Sequence, residues 1–391
     1  MTDAAAVAGS VTATRPPAAR VAVIGAGQLA RMSQQAAIAL DIELRVLSQE
    51  HDAPAVLAGA THVPGSWEDE DDLDALAAGC DVVTFDHELA PPELLERLAR
   101  RAVVRPSPQA MLLTQDKLHA RRTLAGARIE VPAYAAVSDV AEVEAFAAAH
   151  RWPVVIKARS GGYDGRGVWV VEDRQAAAAT CRSAAEAGVR LLVEEHVAIE
   201  QELSVLVART PGGATAAYPV LATYQRDGIC RHVTAPAAIG AEQAAAATRL
   251  AIAIADGAAV EGLLAVELFV AEGKLLLNEL ALRPHNSGHL TIDACVTSQF
   301  EQHLRALLDW PLGDTQLLAP AAAMVNVLGG DDGSDPARRL ARALAIPQAR
   351  VHLYGKRSRP GRKLGHVTAL GATVEEALGY AQAAVDELVG P

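Results

Sequence analysis

The sequence predicts a protein of two or three domains that begins with an α/β unit and continues as an α+β region. Up to about residue 110, short apolar runs alternate with helical stretches, which indicates a parallel sheet covered by helices. From about residue 153 the apolar runs follow one another closely, which indicates antiparallel pairing. With 391 residues, of which 51% are hydrophobic, the chain can bury a sizeable core.

Composition narrows the classes of partner. The net charge is −12 and no long basic run occurs, which argues against nucleic acid or an anionic membrane as the main partner. The four cysteines form no C-x-x-C pair, so we expect a cytoplasmic setting without a disulfide framework or a zinc site. Residues 1–19 lack a basic segment followed by an apolar one, so they are predicted to be a disordered tail. No apolar run reaches the ~18 residues that a membrane span needs.

A glycine cluster lies between the first predicted strand, 21–24, and a predicted helix, 29–40. The pattern Gly25-x-Gly27-x-x-Ala30, with Glu50 about twenty residues further on, is typical of dinucleotide-binding folds. Any doubly wound sheet also needs small residues at this turn, and the helix N-terminus suits an anion from any source. A nicotinamide-dependent oxidoreductase is therefore a weaker alternative, since no dehydrogenase-like second domain follows.

The remaining elements follow from apolar patterning and from proline and glycine at their ends. Strands are predicted at 43–48, 81–85, 153–158, 167–171, 190–195, 201–209, 215–221, 229–234, 263–270, 274–280, 323–328, 350–354 and 364–370. Helices are predicted at 91–100, 174–187, 241–257, 291–308 and 374–389.

A second glycine cluster, Gly161 to Gly167, lies between two predicted strands. Bare backbone amides in such a loop can approach a polyphosphate closely, and Lys157 at the end of the incoming strand can reach the phosphates. The loop lacks the Walker pattern. A flexible hairpin turn is the alternative, although four glycines in seven residues exceed what a turn requires.

Two carboxylates meet in the predicted hairpin that turns at Glu272 and Gly273. Counted back from the turn, Glu267 and Glu279 are opposite or one step off register, with Cβ atoms roughly 5 Å apart if opposed. Mg²⁺ binds carboxylates and nucleotide phosphates together, so the pair predicts a magnesium site. Asn278 adds an oxygen ligand, although its side chain is expected on the other face. Two solvated glutamates are the alternative.

Three further polar segments are candidates for binding. Residues 193–202 carry several carboxylates beside apolar residues and suit adenine and ribose. Residues 283–289 place one arginine and two histidines directly after the hairpin, although the segment could also be a structural loop cap. Residues 356–363 form the densest basic run, which suggests a phosphate site or, alternatively, a solvated loop.

Taken in order, these motifs resemble the N5-carboxyaminoimidazole ribonucleotide synthetases, a family of ATP-grasp ligases. The resemblance runs from about residue 20 to the end through GQLARM, GGYDGRG, VEEH, NELALRPHNSGH, TSQFEQHL and RPGRKLGHV. It implies a three-domain ATP-grasp fold, α/β and α+β, with an N-terminal doubly wound parallel sheet. The expected parts are a Rossmann-like domain at 20–115, an ATP-grasp domain at 116–315 with a lid at about 125–200, and a small β-rich domain at 316–391.

The resemblance also implies a reaction. ATP and bicarbonate form carboxyphosphate, and the amine of 5-aminoimidazole ribonucleotide captures the carboxyl group, releasing ADP and phosphate, in purine biosynthesis. It implies ATP with Mg²⁺ or Mn²⁺, a homodimer, and no nucleic-acid or membrane partner.

By resemblance, each motif supplies residues to one part of the site. The nucleotide contacts are Lys117, Lys157, Gly162, Tyr163, Asp164, Gly165, Arg166, Gly167, Val168, Glu194, Glu195, His196, Val197, Glu202, Gln225, Asn278 and Glu279. The metal ligands are Glu267, Glu279 and Asn278. The substrate contacts are Gln28, Tyr163, Arg166, Arg283, His285, Asn286, Ser287, Lys356, Arg359 and Arg362, and the catalytic candidates are Asp164, Arg166, Arg283, His285 and His289.

Two departures from the family pattern and several rival functions are left open. Leu282 replaces a proline, and residues 84–90 are a variant of a more uniform acidic stretch, so their contacts are not predicted. A formate-dependent glycinamide ribonucleotide transformylase or a biotin carboxylase would use the same ATP-binding half. A non-catalytic nucleotide-binding module is disfavoured because Lys157, Glu267 and Glu279 are all present.

Overall fold

The computed structural model describes residues 16–162 and 166–390. The predicted tail at 1–19 lies mostly outside these residues. The N-terminal part is a four-stranded parallel sheet in the order β3-β2-β1-β4, with helices packed against it. Its elements are β1 (Ala19–Ile24), α1 (Gln28–Ala39), β2 (Ile42–Ser48), α2 (Pro54–Leu57), β3 (Thr61–Pro64), α3 (Glu70–Ala77), β4 (Val82–Phe85), α4 (Pro92–Leu98) and α5 (Pro108–Gln115).

The predicted strands of this sheet are confirmed, but β3 and α3 were not predicted from the sequence. β3 is a four-residue edge strand whose side chains are only partly buried, so it lacks an apolar run. α3 begins in an acidic stretch that reads as a loop. The Asp69 side chain caps α3 by accepting from the backbone N–H groups of Asp71 and Asp72, which favours a helix there.

A second, smaller unit carries the glycine loop. Its sheet is antiparallel in the order β5-β8-β6-β7, and α7 and α8 pack on one face around a core that includes Val143, Phe146 and Val193. The loop joins β6 to the edge strand β7. The elements are α6 (Lys117–Gly126), β5 (Tyr134–Val137), α7 (Val140–His150), β6 (Val154–Ala158), β7 (Val168–Val171), α8 (Arg174–Glu186) and β8 (Leu191–Glu195).

The largest sheet runs in the order β14-β13-β9-β11-β12-β15-β17-β16, with β10 beside β9. Strands from the C-terminal part join it because β12 pairs with β15. The elements are β9 (Gln201–Arg209), β10 (Thr215–Ala217), β11 (Leu221–Arg226), β12 (Ile229–Ala235), α9 (Ala241–Gly257), β13 (Gly262–Ala271), β14 (Lys274–Ala281), α10 (Thr291–Ala294), α11 (Gln299–Leu307), β15 (Ala321–Leu328), α12 (Leu340–Ala343), β16 (Ala349–Leu353), β17 (Lys363–Gly371) and α13 (Val374–Val389).

Two predicted elements are wrong as single units. The strand predicted at 215–221 covers the whole of β10 and only the first residue of β11, because the chain leaves the sheet between them. The helix predicted at 291–308 is divided into α10 and α11. Cys295 is extended and forms a bridge with Leu317, and Ser298 then caps α11 by accepting from the Glu301 N–H.

No helix within residues 16–162 and 166–390 is long and apolar enough to cross a membrane.

Candidate active site

Glu267 and Glu279 are directly paired across β13 and β14, which is one of the two registers that the hairpin prediction left open. The register changes at this point: Glu267 is opposite Glu279, whereas Leu268 is opposite Leu277, so Asn278 is the extra residue of a β-bulge. Its Nδ2 lies 3.4 Å from Glu267 Oε2. The expectation that the Asn278 side chain lies on the other face was wrong, because the bulge turns it towards the carboxylates.

The surroundings shift the pKa values of the two carboxyl groups in opposite directions. Burial and the charge of Glu279 raise the pKa of Glu267 to about 7. Burial also opposes ionisation of Glu279, but the Lys117 ammonium, which donates a hydrogen bond to Glu279, lowers the pKa of that carboxyl below its usual value. Two carboxylates and an amide oxygen fit a hard divalent cation, and such a cation would relieve the repulsion between Glu267 and Glu279.

Behind the carboxylates lies a buried charged triad, which consists of Arg121, Glu194 and Lys157. Glu194 accepts from Arg121 Nε at 2.6 Å and is 2.7 Å from Lys157 Nζ. Arg121 also donates to the Asn278 carbonyl at 2.7 Å, which ties α6 to the bulge. Glu194 is one of the predicted nucleotide contacts, and in this structure its carboxylate is bonded to two cations.

Arg121 was not predicted from the sequence, although one signal was present. It lies one helical turn after Lys117, so both side chains leave α6 on the same face. The start of α6 is itself held to the end of β6: Lys117 N–H donates to the Arg159 carbonyl at 2.8 Å, and Arg159 pairs with Asp116 at 2.6 Å. These contacts bring Lys117 and Lys157 to the same side of the carboxylate pair.

The segment after β8 is placed beside the sheet edge. Glu195 Oε1 accepts from the Ala133 N–H at 2.9 Å, His196 is exposed and Val197 is half-buried. On β9, burial raises the pKa of Glu202 to about 7, although a hydrogen bond from Gln225 lowers it in part. The structure therefore brings the predicted ribose carboxylate and Gln225 together.

Only the ends of the glycine loop are described. Tyr163, Asp164 and Gly165 lie outside the described residues. Gly161 and Gly167 have φ angles of 78° and 75°, in the left-handed region that favours glycine. A Cβ on Gly162 would come within 2.6 Å of the Arg166 carbonyl oxygen, so the two sides of the loop approach closely. Arg166 and Val168 are exposed at the loop's outgoing end.

Residues 283–289 divide into a part that faces the carboxylates and a part that is buried. Arg283 pairs with Glu88 at 2.8 Å, and His285 Nε2 lies 3.4 Å from Glu267 Oε1. Asn286 and Ser287 are buried and bonded within the protein, to Asn326 and Ser204 respectively.

His289 also does not face the carboxylate pair. It is completely buried and lies among the rings of Phe300, Tyr354 and His366. In this structure Asn286, Ser287 and His289 therefore support the loop and are not presented to a ligand, because folding of the loop turns their side chains inwards.

The basic segment meets the start of α1. Lys356 donates a hydrogen bond to the Gln28 side chain, which joins two predicted substrate contacts from opposite ends of the sequence. Arg362 donates to the Arg357 carbonyl at 3.2 Å, and the Arg359 backbone packs tightly on Gly329. Lys356, Arg359 and Arg362 thus belong to one folded turn.

The first glycine cluster holds an anion from within the protein. Asp86, which follows β4, accepts hydrogen bonds from the Gly27 N–H and, at 3.1 Å, from the Ala30 N–H. A Cβ on Gly27 would lie 2.5 Å from Asp86 Oδ2. The carboxylate therefore occupies the helix N-terminus where a dinucleotide would place its pyrophosphate, and this argues against the oxidoreductase alternative.

Comparisons with known proteins show the family to which this chain belongs. The chain matches three family models: the ribonucleotide synthetase preATP-grasp domain over residues 18–115, the ATP-grasp domain over 122–300, and the phosphoribosylaminoimidazole carboxylase C-terminal domain over 322–379. It is 51% identical over 381 residues to the N5-carboxyaminoimidazole ribonucleotide synthase of Mycobacterium tuberculosis (strain ATCC 25618 / H37Rv), covering 94% of this chain and 88% of that protein. The Corynebacterium ammoniagenes enzyme of the same name is 43% identical, covering 94% and 92%.

Solved structures give the same result. An ADP complex of an N5-carboxyaminoimidazole ribonucleotide synthetase superposes with a TM-score of 0.87 at 34% identity, covering 95% of this chain and 98% of that one. An Aspergillus clavatus synthase in complex with ADP and 5-aminoimidazole ribonucleotide has a TM-score of 0.86 at 32% identity, covering 96% and 99%. The chain therefore belongs to the N5-carboxyaminoimidazole ribonucleotide synthase family of ATP-grasp enzymes.

Proposed function

We propose that this chain uses ATP to carboxylate 5-aminoimidazole ribonucleotide with bicarbonate, giving N5-carboxyaminoimidazole ribonucleotide, ADP and phosphate. One observation carries the proposal within this family. The opposed pair of Glu267 and Glu279 lies beside Lys117 and Lys157, which is an arrangement suited to a metal-bound polyphosphate.

The reaction needs positioning and charge neutralisation more than it needs a protein nucleophile. A bicarbonate oxygen attacks the terminal phosphorus of ATP, ADP leaves, and carboxyphosphate forms. The amine then attacks the carboxyl carbon, phosphate leaves, and the amine loses one proton. In our proposal Lys117 and Lys157 contact the ATP phosphates, and residues 162–168 cover them to exclude water.

The metal site would be formed by Glu267, Glu279 and Asn278. Bound Mg²⁺ would neutralise phosphate charge and orient the nucleotide. Because Glu279 is paired with Lys117 in this structure, these residues would share or exchange partners when the nucleotide binds. The raised pKa of Glu267, caused by burial and by Glu279, supports a cation at this position.

The residues on the two sides of the Glu267 and Glu279 pair would bind different molecules. We propose that the backbone of residues 195–197 recognises adenine and that Glu202, with Gln225, accepts hydrogen bonds from the ribose hydroxyls. The ribonucleotide would be bound by Arg283 and His285 near the reacting centre. Its phosphate would be bound by the turn that carries Lys356, Arg359 and Arg362, with Gln28 beside it.

We also propose the domain limits 20–115, 116–315 and 316–391, and a homodimer in the cytoplasm. The exposed side chains of Ile38 and Leu57 on the N-terminal part, 66% and 60% exposed, support a subunit contact. The absence of disulfides among the four cysteines supports a reducing compartment.

The test is ADP release by the purified protein with single substrates omitted. We expect release to require 5-aminoimidazole ribonucleotide and to be promoted by bicarbonate. Release that instead depends on formate and glycinamide ribonucleotide would show that the chain is a transformylase.

A further inference from the structure

We infer that Gln299 is a positioning residue, which holds His285 beside the carboxylate Glu267 through contacts to the histidine backbone. The inference rests on the proposed function, because it gives His285 a role at the proposed metal and substrate site. Gln299 is the first residue of α11 and is completely buried, so it acts through His285 and does not touch a substrate itself.

Both backbone groups of His285 are bonded to this one side chain. Gln299 Oε1 accepts from the His285 N–H at 2.9 Å, and Gln299 Nε2 donates to the His285 carbonyl at 2.8 Å. In a β-sheet, a neighbouring strand bonds the N–H and the carbonyl of one residue in the same way. The loop after β14 has no strand there, so the amide replaces one.

The amide is itself held in place. Its Nε2 lies 3.0 Å from His289 Nδ1, and since His285 takes one N–H, His289 accepts the other. Burial lowers the pKa of His289 well below its usual value, so the ring is neutral and can accept. His289 therefore acts as the support of Gln299.

The His285 side chain is oriented separately. Its Nδ1 is 2.9 Å from Ser287 Oγ and accepts weakly from the Ser287 N–H at 3.4 Å, so in the neutral ring the proton is on Nε2. Nε2 is the atom that faces Glu267, at 3.4 Å. Ser287 Oγ in turn bonds Ser204 Oγ at 2.7 Å, and Ser204 is the β-sheet partner of Glu267. Ring orientation is thus set from the same sheet that carries the carboxylate.

Close packing leaves no room for a different arrangement. A Cβ on Gly288 would overlap Gln299 Oε1. Position 288 therefore has to be glycine for the loop to pack against the Gln299 amide. Thr291 Oγ1 donates to the Gly288 carbonyl at 2.6 Å and accepts from the Gln299 N–H at 2.8 Å. These contacts bind residues 285–289 to the start of α11.

The same helix provides a matched control. Gln302 is also completely buried, and its amide holds both backbone groups of Gly313, at 2.7 and 2.8 Å. Gly313 lies in the loop after α11 and packs against Thr297 and Arg305. Gln302→Met therefore removes the same kind of contact as Gln299→Met but leaves the His285 backbone contacts in place.

The experiment compares Gln299→Met with Gln302→Met. Both variants should lose similar thermal stability. We expect Gln299→Met alone to lower kcat of ribonucleotide-dependent ADP release by roughly 10- to 100-fold, because displacement of a reacting group by about 1 Å has effects of this size. The KM for ATP should stay within about twofold. Mn²⁺ binding to the ADP complex, followed by electron paramagnetic resonance, should weaken in Gln299→Met and not in Gln302→Met.

Equal losses of kcat in the two variants, or wild-type kcat in Gln299→Met, would overturn the inference. If Gln299→Met does not fold, Gln299→Asn keeps an amide but shortens its reach to the His285 backbone, and should still lower kcat while the KM for ATP stays within about twofold. A wild-type protein without ribonucleotide-dependent ADP release would defeat the proposed function. The Mn²⁺ measurement needs no ribonucleotide, so it would still decide whether Gln299 positions His285 beside Glu267.

Discussion

Replacing Glu194 with glutamine should destabilise the protein and weaken nucleotide binding together. The substitution preserves shape but removes the negative charge that Arg121 and Lys157 share at 2.6 and 2.7 Å. The side chains of Glu194, Arg121 and Lys157 are 2%, 3% and 11% exposed, so water cannot replace the lost partner. Two buried cations would then face each other without compensation.

The magnitude follows from that burial. Removing one partner of a buried ion pair costs about 3–5 kcal/mol, and Lys157 can limit the cost only by losing its proton. Burial already lowers the pKa of Lys157, opposed by Glu194, and Arg121 lowers it further. Without Glu194 the pKa of the amine should fall further. We therefore expect ADP affinity to fall by roughly tenfold, since one phosphate contact is weakened and loses the carboxylate that positions it.

Urea unfolding and calorimetric titration with ADP measure the two effects. Trp152 and Trp169 lie in the same small unit as Glu194, so their fluorescence reports on its unfolding. With a slope of ~2 kcal/mol per molar urea, the midpoint should fall by about 1.5–2.5 M. Glu70→Gln, which alters an exposed ion pair, should have little effect. A Glu194→Gln protein as stable as Glu70→Gln, with unchanged ADP affinity, would refute the assigned role of the triad.

Four further outcomes are expected. Glu279→Gln should abolish ADP release by weakening Mg²⁺ binding; full activity at saturating Mg²⁺ would contradict the metal assignment. Burial raises the pKa of Glu202 from 4.5 to about 7, so the folded protein retains a proton there that the unfolded chain loses, and stability should fall as pH rises from 4.5 to 7. Glu202→Gln should remove that part of the fall, as calorimetric scans at pH 5 and 8 would test. Gly27→Ala should lower the melting temperature more than Gly257→Ala, since Asp86 leaves no space for a Cβ at position 27, whereas no atom lies within 4 Å of a Cβ at position 257, where φ is not positive. Lys356→Met should raise the KM for the ribonucleotide much more than that for ATP, and the reverse pattern would mean that the phosphate site lies elsewhere.

The carboxylate pair could be predicted because an antiparallel hairpin is a local structure. Once the turn at Glu272 and Gly273 is located, residue counting places Glu267 and Glu279 opposite each other or one step apart. Unbroken counting would set Glu267 opposite Asn278, and the direct pairing with Glu279 arises because a β-bulge adds one residue to β14. Nothing in the apolar pattern of β14 marks where the extra residue is inserted.

The supporting contacts could not be predicted, because they join residues far apart in sequence. Glu88 meets Arg283, and Gln299 meets the His285 backbone, only after two loops have been packed together. The residue types in these contacts do not identify them either. Arginine–glutamate pairs and hydrogen bonds from a side-chain amide to the backbone are common on any protein surface. The catalytic candidates His285 and His289 illustrate the same limit. Both follow the hairpin of β13 and β14 in sequence, but only His285 faces Glu267.

The first glycine cluster shows when the G-x-G-x-x-A pattern does not indicate a dinucleotide site. A helix that begins directly after a strand leaves unpaired N–H groups, and these favour any nearby anion. In this sheet β4 is the neighbour of β1, so the residue that follows β4 emerges beside the start of α1. Because that residue is Asp86, the protein supplies the anion itself, and Gly27 is needed to admit a carboxylate. An acidic residue directly after the strand next to β1 therefore argues against a bound dinucleotide, and this signal can be read from the sequence once the strand order is known.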